Sequence, residues 1–323
     1  MRAVSFHRVF CGLALLGFGV VVAAQGQASF RSRADLVSVF ATVTDADGKL
    51  VSDLTKDDFA VYDDGKRQAI SVFSADVQPI TVVVMLDRSG SVLEEADLMR
   101  EAAGEFVKRL LPADRARIGN FSREIRLSPD QFTSDKTQLT TVLRDDLQGA
   151  GPSPIWTAVD RSITALLHES GRRVVLLLSD GVDAPLKDQV KTDVKDLMYR
   201  AQYDEIMVYT IGVPTEQSVP TTVFHADGRG HLRPGSAIGE KSIKPDANLK
   251  RLADESGGGY FELDPMRSLS SIFTRIADEL HRQYWIGFAA GKLDRKAHKL
   301  EIKMLRPGLA ARARKSYVAD PDR

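Results

Sequence analysis

The pattern of apolar and polar positions divides the chain into three regions. In the first region, short runs rich in β-branched residues alternate with turn signals such as Asp47-Gly48 and Asp63-Asp64-Gly65. Such spacing predicts antiparallel strands joined by tight turns. We expect these strands over residues 36–44, 59–62 and 69–73.

The second region begins after Pro79. Residues 80–86 and 173–179 are almost continuously apolar, which is typical of strands buried on both faces. Residues 213–243, rich in Gly, Pro and Thr, predict a long loop. Further strands are predicted at 115–121, 125–127, 206–212 and 260–263, and helices at 94–111, 136–147, 155–168, 190–202, 247–255 and 268–281. This alternation predicts an α/β domain with a doubly wound, mostly parallel sheet.

The third region returns to β structure. Strands are predicted at 283–289, 298–305 and 309–318, with Arg306-Pro307-Gly308 as a hairpin turn between the last two. The amino- and carboxy-terminal strands would each leave uncovered edges if they stood alone. We therefore expect them to form one smaller β-sandwich, with the α/β domain inserted between its halves. Two separate small β-modules are the alternative.

The amino terminus has the pattern of a secretory signal peptide. Arg2 and Arg8 precede an apolar run, and Val22-Ala23-Ala24 fits the small-residue cleavage pattern. An uncleaved membrane anchor is the alternative, but Gln25 and Gln27 make the run shorter than the ~20 apolar residues of a span. We predict export to the periplasm or the medium, with membrane contact only if this segment is uncleaved.

These patterns give four predicted segments of the chain. They are the signal peptide over residues 1–24, the amino-terminal strands of the sandwich over 25–78, the α/β domain over 79–281 and the carboxy-terminal strands over 282–323.

Composition excludes several classes of function. The chain has 323 residues, of which 43% are hydrophobic, enough for a substantial core. Its 44 basic and 44 acidic side chains give no net charge, which argues against a nucleic-acid-binding protein. A single cysteine excludes a disulfide framework and a multi-thiolate metal site.

Polar clusters follow the predicted strands at the edge where α/β sheets bind ligands. Asp87-Arg88-Ser89-Gly90-Ser91 follows the first buried strand, Ser179-Asp180-Gly181 ends a later one, and Gly151-Pro152-Ser153 precedes a helix. The candidate metal ligands are Asp87, Ser89, Ser91, Ser153 and Asp180. A set made only of oxygen atoms suits a hard cation, Mg²⁺ first and Mn²⁺ next, whereas Ca²⁺ fits less well.

Three neighbouring residues have secondary roles in this interpretation. Thr157, one turn beyond Ser153 on the predicted helix, is the fallback ligand. Asp183 is interpreted as an outer hydrogen-bond acceptor or a turn residue rather than a ligand. Arg88 is expected to be a solvated side chain at the rim of the site.

These motifs resemble the von Willebrand factor type A (VWA) domain. Its metal-ion-dependent adhesion site (MIDAS) combines Asp-x-Ser-x-Ser after an apolar strand, here Asp87 to Ser91, with a Gly-x-Ser/Thr loop and a strand ending in Ser-Asp-Gly. Asp57-Asp58-Phe59 before the α/β domain, and Arg306-Pro307-Gly308-Leu309 after it, resemble the exported bacterial VWFA-related proteins. The resemblance extends over nearly the whole chain after the predicted signal peptide.

The resemblance implies a Rossmann-like α/β domain holding a divalent cation, with the hydroxyls of Ser89, Ser91 and Ser153 as direct ligands. Asp87 and Asp180 would act directly or through water. An Asp or Glu carboxylate of a protein partner would complete the octahedron. In relatives the last helix of the domain, here residues 268–281, can slide when ligand binds, which is a hypothesis for this chain.

One position departs from the usual family pattern. Ser153 stands where threonine is common, and the loss of the methyl group that restricts χ1 predicts weaker or more labile metal binding. Ser153 before Pro154 also has an alternative interpretation as an ordinary helix N-cap followed by proline.

We interpret the chain as an exported, non-enzymatic protein-interaction or adhesion module without a small-molecule cofactor. It has no Gly-x-Ser-x-Gly nucleophile elbow and no glycine-rich dinucleotide fingerprint after the first buried strand. A metal-dependent hydrolase or phosphatase using Asp87 is one alternative, although Ser89 stands where the common phosphatase motif has a second Asp. A purely structural exported module is the other.

Overall fold

The structure is a computed structural model. It describes residues 36–89, 96–145, 147, 151–185, 192–226, 232–264 and 268–320. The span Arg33–Arg323 forms one compact unit. The predicted signal peptide over 1–24 lies outside the described residues. None of the helices in the described ranges combines the length and apolar character that crossing a membrane needs.

The described part of the chain contains sixteen strands and six helices, which are named here in chain order. The strands are β1 (Leu36–Thr44), β2 (Phe59–Asp63), β3 (Lys66–Gln68), β4 (Ile70–Ser74), β5 (Ile80–Asp87), β6 (Arg115–Phe121), β7 (Ile125–Thr133), β8 (Arg172–Ser179), β9 (Ile206–Gly212), β10 (Thr215–Ala226), β11 (Leu232–Ile243), β12 (Tyr260–Glu262), β13 (Tyr284–Ala289), β14 (Ala297–Met304), β15 (Ala310–Arg312) and β16 (Ser316–Val318). The helices are α1 (Ala96–Arg109), α2 (Lys136–Asp145), α3 (Ile155–Leu166), α4 (Val194–Tyr203), α5 (Ala247–Ser256) and α6 (Leu269–His281).

The predicted α/β sheet is present, with six strands in the order β12-β9-β8-β5-β6-β7. All neighbouring pairs are parallel except β6 with β7. Apolar residues of α1, α2 and α6 pack on one face, and those of α3, α4 and α5 pack on the other. Because both faces are covered, β5 is buried along its whole length, as its unbroken apolar sequence requires. The doubly wound fold class is confirmed.

The direction of chain travel across this sheet reverses at β5. From β5 the chain moves outward through β6 and β7, then returns to the other side of β5 to add β8, β9 and β12. The carboxyl ends of β5 and β8 therefore lie side by side at a topological switch point, where open α/β sheets bind their ligands.

The amino- and carboxy-terminal strands form two four-stranded sheets, β15-β1-β13-β4 and β16-β14-β2-β3. Each sheet mixes strands from both ends of the chain: β1 pairs with β13, and β2 pairs with β14. Their inner faces share one apolar core, in which the ring of Tyr284 lies 5.1 Å from Phe59 and 5.7 Å from Phe73. The smaller sandwich is thus a joint product of both ends. The exact domain boundaries stay a prediction.

A buried polar network joins the sandwich to the α/β domain. Gln283, just before β13, donates from Nε2 to Thr42 of β1 at 2.7 Å and to the Tyr209 hydroxyl of β9 at 3.2 Å. The side-chain Oε1 of Gln283 accepts a hydrogen bond from Arg172 of β8. The Arg172 guanidinium also donates to the Leu280 carbonyl at 2.6 Å. Burial lowers the pKa of Arg172 to about 10. The network ties strands of both sheets to the end of α6.

A second link runs from β15 to α6. Glu279 of α6 is fully buried and pairs with Arg312 of β15 and, at 3.2 Å, with Nε of Arg275. The Arg312 guanidinium also lies 5.7 Å from the centre of the Tyr209 ring. The sandwich therefore supplies one of the two cations that neutralise a buried carboxylate of the α/β domain.

The structure differs from the sequence prediction most clearly in two stretches, and β7 also extends beyond the predicted residues 125–127. Residues 213–243, predicted as a long loop, form mainly the antiparallel ribbon β10–β11. Pro220 is tolerated there because both strands of a two-stranded ribbon have a free edge, and the frequent Thr, Val and Ile favour extended backbone. The stretch 309–318, predicted as one strand paired across a hairpin, is divided: β15 pairs with β1, and β16 pairs with β14.

Candidate functional site

The candidate site is built first on the buried strands β5 and β8. Asp87 is the last residue of β5 and is fully buried, and Ser179 is the last residue of β8. Parallel pairing of Leu86 with Leu178 brings these two strand ends together. Two residues that are 92 positions apart in sequence are thereby placed in hydrogen-bonding contact.

From the described residues, Asp87 accepts three hydrogen bonds, which involve both of its carboxylate oxygens. Its Oδ1 accepts from the Ser153 hydroxyl at 2.7 Å and from the backbone N–H of Ser89 at 2.8 Å. Its Oδ2 accepts from the Ser179 hydroxyl at 2.6 Å. The carboxylate thus organises all three polar segments that the sequence singled out.

The environment of Asp87 disfavours the negative charge on its carboxylate. Burial raises the pKa of the Asp87 carboxyl, hydrogen bonds from Ser179, Ser153 and the Ser89 N–H oppose this, and the neighbouring Asp180 carboxylate raises it further. The pKa remains above its ordinary value. A bound cation would offset both the cost of burying the charged carboxylate and its repulsion from Asp180.

The second segment approaches from the loop before α3. Ser89 and Gly151 form an isolated parallel bridge, which holds this loop against the one after β5. Ser153 is 1% exposed, and its hydroxyl bonds Asp87 across the site. The N-cap position of α3 is occupied by Pro154 rather than Ser153. The helix-capping interpretation of Ser153 is therefore wrong, and its side chain faces the candidate site.

Asp180 and Gly181 form the third segment. Asp180 is 2% exposed, and its Oδ1 accepts from the Val182 N–H at 2.9 Å. Gly181 has φ +84°, and a Cβ there would lie 2.6 Å from the Cβ of Asp246. Because a side chain at 181 would be both strained and obstructed, glycine lets the loop turn sharply enough to hold Asp180 at the strand end.

The remaining candidates have different outcomes. Ser91 lies outside the described residues. The Thr157 hydroxyl lies 3.3 Å from that of Thr192, and Asp183 lines a cleft beside the site. Arg88, expected to be a solvated side chain at the rim, is instead 8% exposed, and its backbone N–H donates to the Phe121 carbonyl at 3.0 Å.

Sequence reasoning missed the role of Ser179. Its hydroxyl donates to Asp87 and accepts from the Gly181 N–H at 3.0 Å, so it links the first strand end to the third loop. The available signal was its position: it is the last residue of a predicted buried strand of the sheet, directly before Asp180.

A cleft of about 880 Å³ lies beside the third loop. Its walls include Gly181, Val182 and Asp183 on one side and Lys244, Asp246 and Arg251 on another. The cleft carries charges of both signs, so it offers contacts to a polar protein surface rather than to an apolar ligand.

Among the described residues, the donor set consists of carboxylates and hydroxyls: Asp87, Asp180, Ser89 and Ser153, all 8% exposed or less. Such oxygen atoms fit a hard divalent cation. Two buried carboxylates converge here without a histidine or a thiolate, which indicates a hard divalent cation, as the sequence predicted.

Comparison with known protein families matches residues 81–275 to the von Willebrand factor type A domain. Domains of this family commonly mediate protein–protein interactions and often bind a divalent cation. Comparison with curated proteins gives no significant match.

Several solved structures are similar to this chain at low sequence identity. A von Willebrand factor type A protein from Catenulispora acidiphila has 12% identity and a TM-score of 0.49, covering 81% of this chain and 73% of its own. An aerotolerance-related membrane protein from Bacteroides fragilis has 18% identity and a TM-score of 0.45, covering 62% and 98%. The vWF domain of a type V pili tip protein from Porphyromonas gingivalis has 13% identity and a TM-score of 0.44, covering 63% and 95%.

Proposed function

Since the chain belongs to the von Willebrand factor type A domain family, we propose that it is an exported, non-enzymatic interaction module with a MIDAS-type cation site. Ser89, Ser91 and Ser153 would provide hydroxyl ligands to Mg²⁺ or Mn²⁺. Asp180 would act directly or through water. An Asp or Glu of a protein partner would supply a further oxygen ligand.

The hydrogen bonding of Asp87 is the observation that carries this proposal. The Ser153 hydroxyl donates its only proton to Asp87, so its oxygen lone pairs are left to face a cation. Both oxygens of Asp87 are occupied by donors, which favours a role for Asp87 in orienting the ligands rather than binding the ion directly.

The neutral hydroxyls have a functional consequence. Serine ligands leave more of the charge of the cation uncompensated than carboxylates would, so an incoming carboxylate gains a strong bond. The cleft beside Gly181 and Asp183 gives the partner a surface around this bond. Specificity would come from that surface and orientation from the ion.

The same geometry argues against the hydrolase alternative. A nucleophilic aspartate needs an oxygen that can reach a substrate, whereas Asp87 is 0% exposed and accepts hydrogen bonds on both oxygens. A phosphatase would release phosphate from a generic ester such as p-nitrophenyl phosphate, and the release would be abolished in Asp87→Asn. We expect no such turnover.

The decisive test is titration of Mg²⁺ into wild type, Asp180→Ala and the matched control Asp196→Ala by calorimetry. Asp196 is an exposed residue in the first turn of α4. We expect wild type and control to bind one ion and to gain thermal stability, and Asp180→Ala to lose both effects. Circular dichroism would establish that Asp180→Ala is folded. Equal binding by Asp180→Ala, or no binding by wild type, would overturn the proposal.

A further inference from the structure

A second cluster of possible metal ligands lies in the sandwich, on elements that contribute nothing to the candidate site. Asp63 ends β2, Asp64 begins the turn to β3, and His298 lies on β14 beside them. Asp64 is held in place from both sides: its N–H donates to the Lys299 carbonyl, and its Oδ1 accepts from the Lys299 N–H, each at 2.9 Å.

Two carboxylate oxygens face one ring nitrogen. Nδ1 of His298 lies 3.1 Å from Oδ1 of Asp63 and 3.1 Å from Oδ2 of Asp64. These three donor atoms all lie within 4.8 Å of one another. Ligand atoms around a metal with bonds of about 2.0–2.1 Å lie roughly 3.0–3.4 Å apart, so the two nitrogen–oxygen distances already suit a coordination sphere.

The other ring nitrogen of His298 is oriented by a third carboxylate. Nε2 lies 3.1 Å from Oδ1 of Asp294, which also accepts from the Lys296 N–H at 3.0 Å. Histidines that bind metals usually donate their second N–H to a carboxylate in this way. A proton on Nε2 leaves the Nδ1 lone pair pointing at Asp63 and Asp64, an arrangement that a cation between them would satisfy.

Tyr317 provides an independent indication from beneath the cluster. It is 2% exposed, its ring stacks on His298 with centroids 5.2 Å apart, and its hydroxyl lies beside Asp63 without a well-aligned hydrogen bond. Burial raises the pKa of Tyr317, and so do the nearby charges of Asp63 and Asp64. A buried phenol beside these carboxylates is positioned to bond a ligand water.

Exposure of the cluster permits entry of an ion. The side chains of Asp63 and His298 are 6% and 7% exposed, whereas that of Asp64 is 56% exposed. The cluster is thus buried on the core side and open at Asp64. If His298 were protonated instead, its Nδ1–H could form a good hydrogen bond with only one of the two carboxylate oxygens. The single positive charge of the imidazolium would also be smaller than the combined negative charge of Asp63, Asp64 and Asp294.

We propose that Asp63, Asp64 and His298 bind a first-row transition-metal ion, with Zn²⁺ as the best fit, and that Asp294 orients the imidazole. One imidazole and two carboxylates suit Zn²⁺ better than Mg²⁺ or Ca²⁺. The ion would fasten the β2–β3 turn to β14 in a sheet whose outer strands, β3 and β16, have only 3 residues each.

The test uses the full chain without a polyhistidine tag, in an Asp180→Ala background so that the candidate MIDAS does not contribute. Zn²⁺ titration by calorimetry should give one site per chain and a rise in melting temperature. Adding Asp64→Asn should abolish both effects, and Asp294→Asn should weaken binding about 10- to 100-fold. Asp47→Asn, an exposed aspartate in another sandwich turn, should change neither.

A second measurement identifies the ligands. Co²⁺ in place of Zn²⁺ should give a visible absorption band that disappears in Asp64→Asn, an exposed position whose substitution leaves the core intact. Unchanged Zn²⁺ affinity in Asp64→Asn, or absence of stoichiometric Zn²⁺ binding, would overturn the proposal. Because the background lacks Asp180, this outcome is independent of Mg²⁺ binding at the first site.

Discussion

At the scale of single residues, Asp114 shows how one buried carboxylate can join three elements. It is fully buried, and it accepts from the N–H of Ile80, where β5 begins, at 2.9 Å and from the N–H of Leu111 at 2.6 Å. Its Oδ2 lies 2.8 Å from Nε2 of His281, the last residue of α6. Burial alone would raise the pKa of Asp114, but these hydrogen bonds outweigh burial and hold the pKa below its ordinary value.

We predict that Asp114→Asn lowers the free energy of unfolding by about 2 kcal/mol at pH 7, because hydrogen bonds to a charged group are lost. A depressed native pKa contributes stability that is complete above the unfolded value of 3.8 and is lost as pH falls through the native pKa. The difference between wild type and variant should therefore narrow below pH 3.8.

Urea unfolding at a series of pH values measures this difference. Asp130→Asn, an exposed aspartate of β7, is the control and should cost little. A gap between wild type and Asp114→Asn that stays constant down to pH 3 would contradict the assignment of the pH dependence to this carboxylate.

The sequence predicted part of the residue-scale picture. Asp87, Ser153 and Asp180 could be found because each follows a recognisable strand or precedes a helix, and strand ends converge in a parallel sheet. Ser179 and the Asp63, Asp64, His298 group were missed. The latter depends on the register between β2 and β14, whose residues are more than 230 positions apart, and no local pattern specifies such a pairing.

At the scale of elements, the glycines after α5 fix how closely helix and sheet approach. Gly257 ends the helix with φ +86°. A Cβ at Gly258 would lie 2.0 Å from the Val208 carbonyl oxygen, a backbone atom of β9 that cannot move freely. Only glycine permits this approach, so the connection from α5 to β12 depends on it.

We predict that Gly258→Ala destabilises the protein by about 3 kcal/mol, because β9 or the loop must shift. Gly104→Ala is the matched comparison: Gly104 lies in α1, and a Cβ there meets nothing within 4 Å. It should stabilise by up to about 1 kcal/mol, since alanine favours the helix. Thermal unfolding of both variants would measure the contrast, and equal effects would refute the steric explanation.

Elements with strong periodicity were predicted well from sequence. Strands β6 and β9 have the bounds that the pattern gave, because both lie within the buried sheet. Prediction was wrong for the ribbon β10–β11 and for the division of 309–318 into β15 and β16. In both cases the partner strand determines the structure. Glycine and proline in residues 213–243 suggested a loop, and the run 309–318 gave no sign that its two halves pair in different sheets.

At the scale of the whole molecule, the ion pair Arg312–Glu279 links the β-sandwich to the α/β domain. We predict that Arg312→Met lowers the free energy of unfolding by about 3–5 kcal/mol, because among the described residues it leaves the buried Glu279 carboxylate with Arg275 as its one remaining cation. The double variant Arg312→Met/Glu279→Leu should recover most of the loss, since no buried charge remains.

Chemical denaturation of the four proteins in this cycle measures the coupling energy. Lys303→Met, which removes an exposed cation of β14 instead, is the control and should change stability little. Additive effects of the two core substitutions would contradict a direct interaction between Arg312 and Glu279.

These contacts also bear on the hypothesis that the last helix slides. The carboxyl end of α6 is held by Arg172 on the Leu280 carbonyl, by Asp114 on His281 and by Arg312 on Glu279. A shift of a whole helical turn would have to break all three contacts. Hydrogen exchange in α6 with and without bound partner would test whether the helix moves.

In its sheet, β1 lies between β13 and β15, so it gains these two neighbours only after both later strands have been synthesised. Both sheet neighbours of β1 are made after the entire α/β domain, so β1 emerges roughly 240 residues before β13 can pair with it. Until then its backbone edges are open to other chains. A chain interrupted before Tyr284 would therefore contain the α/β domain while β1 still lacked its partners β13 and β15.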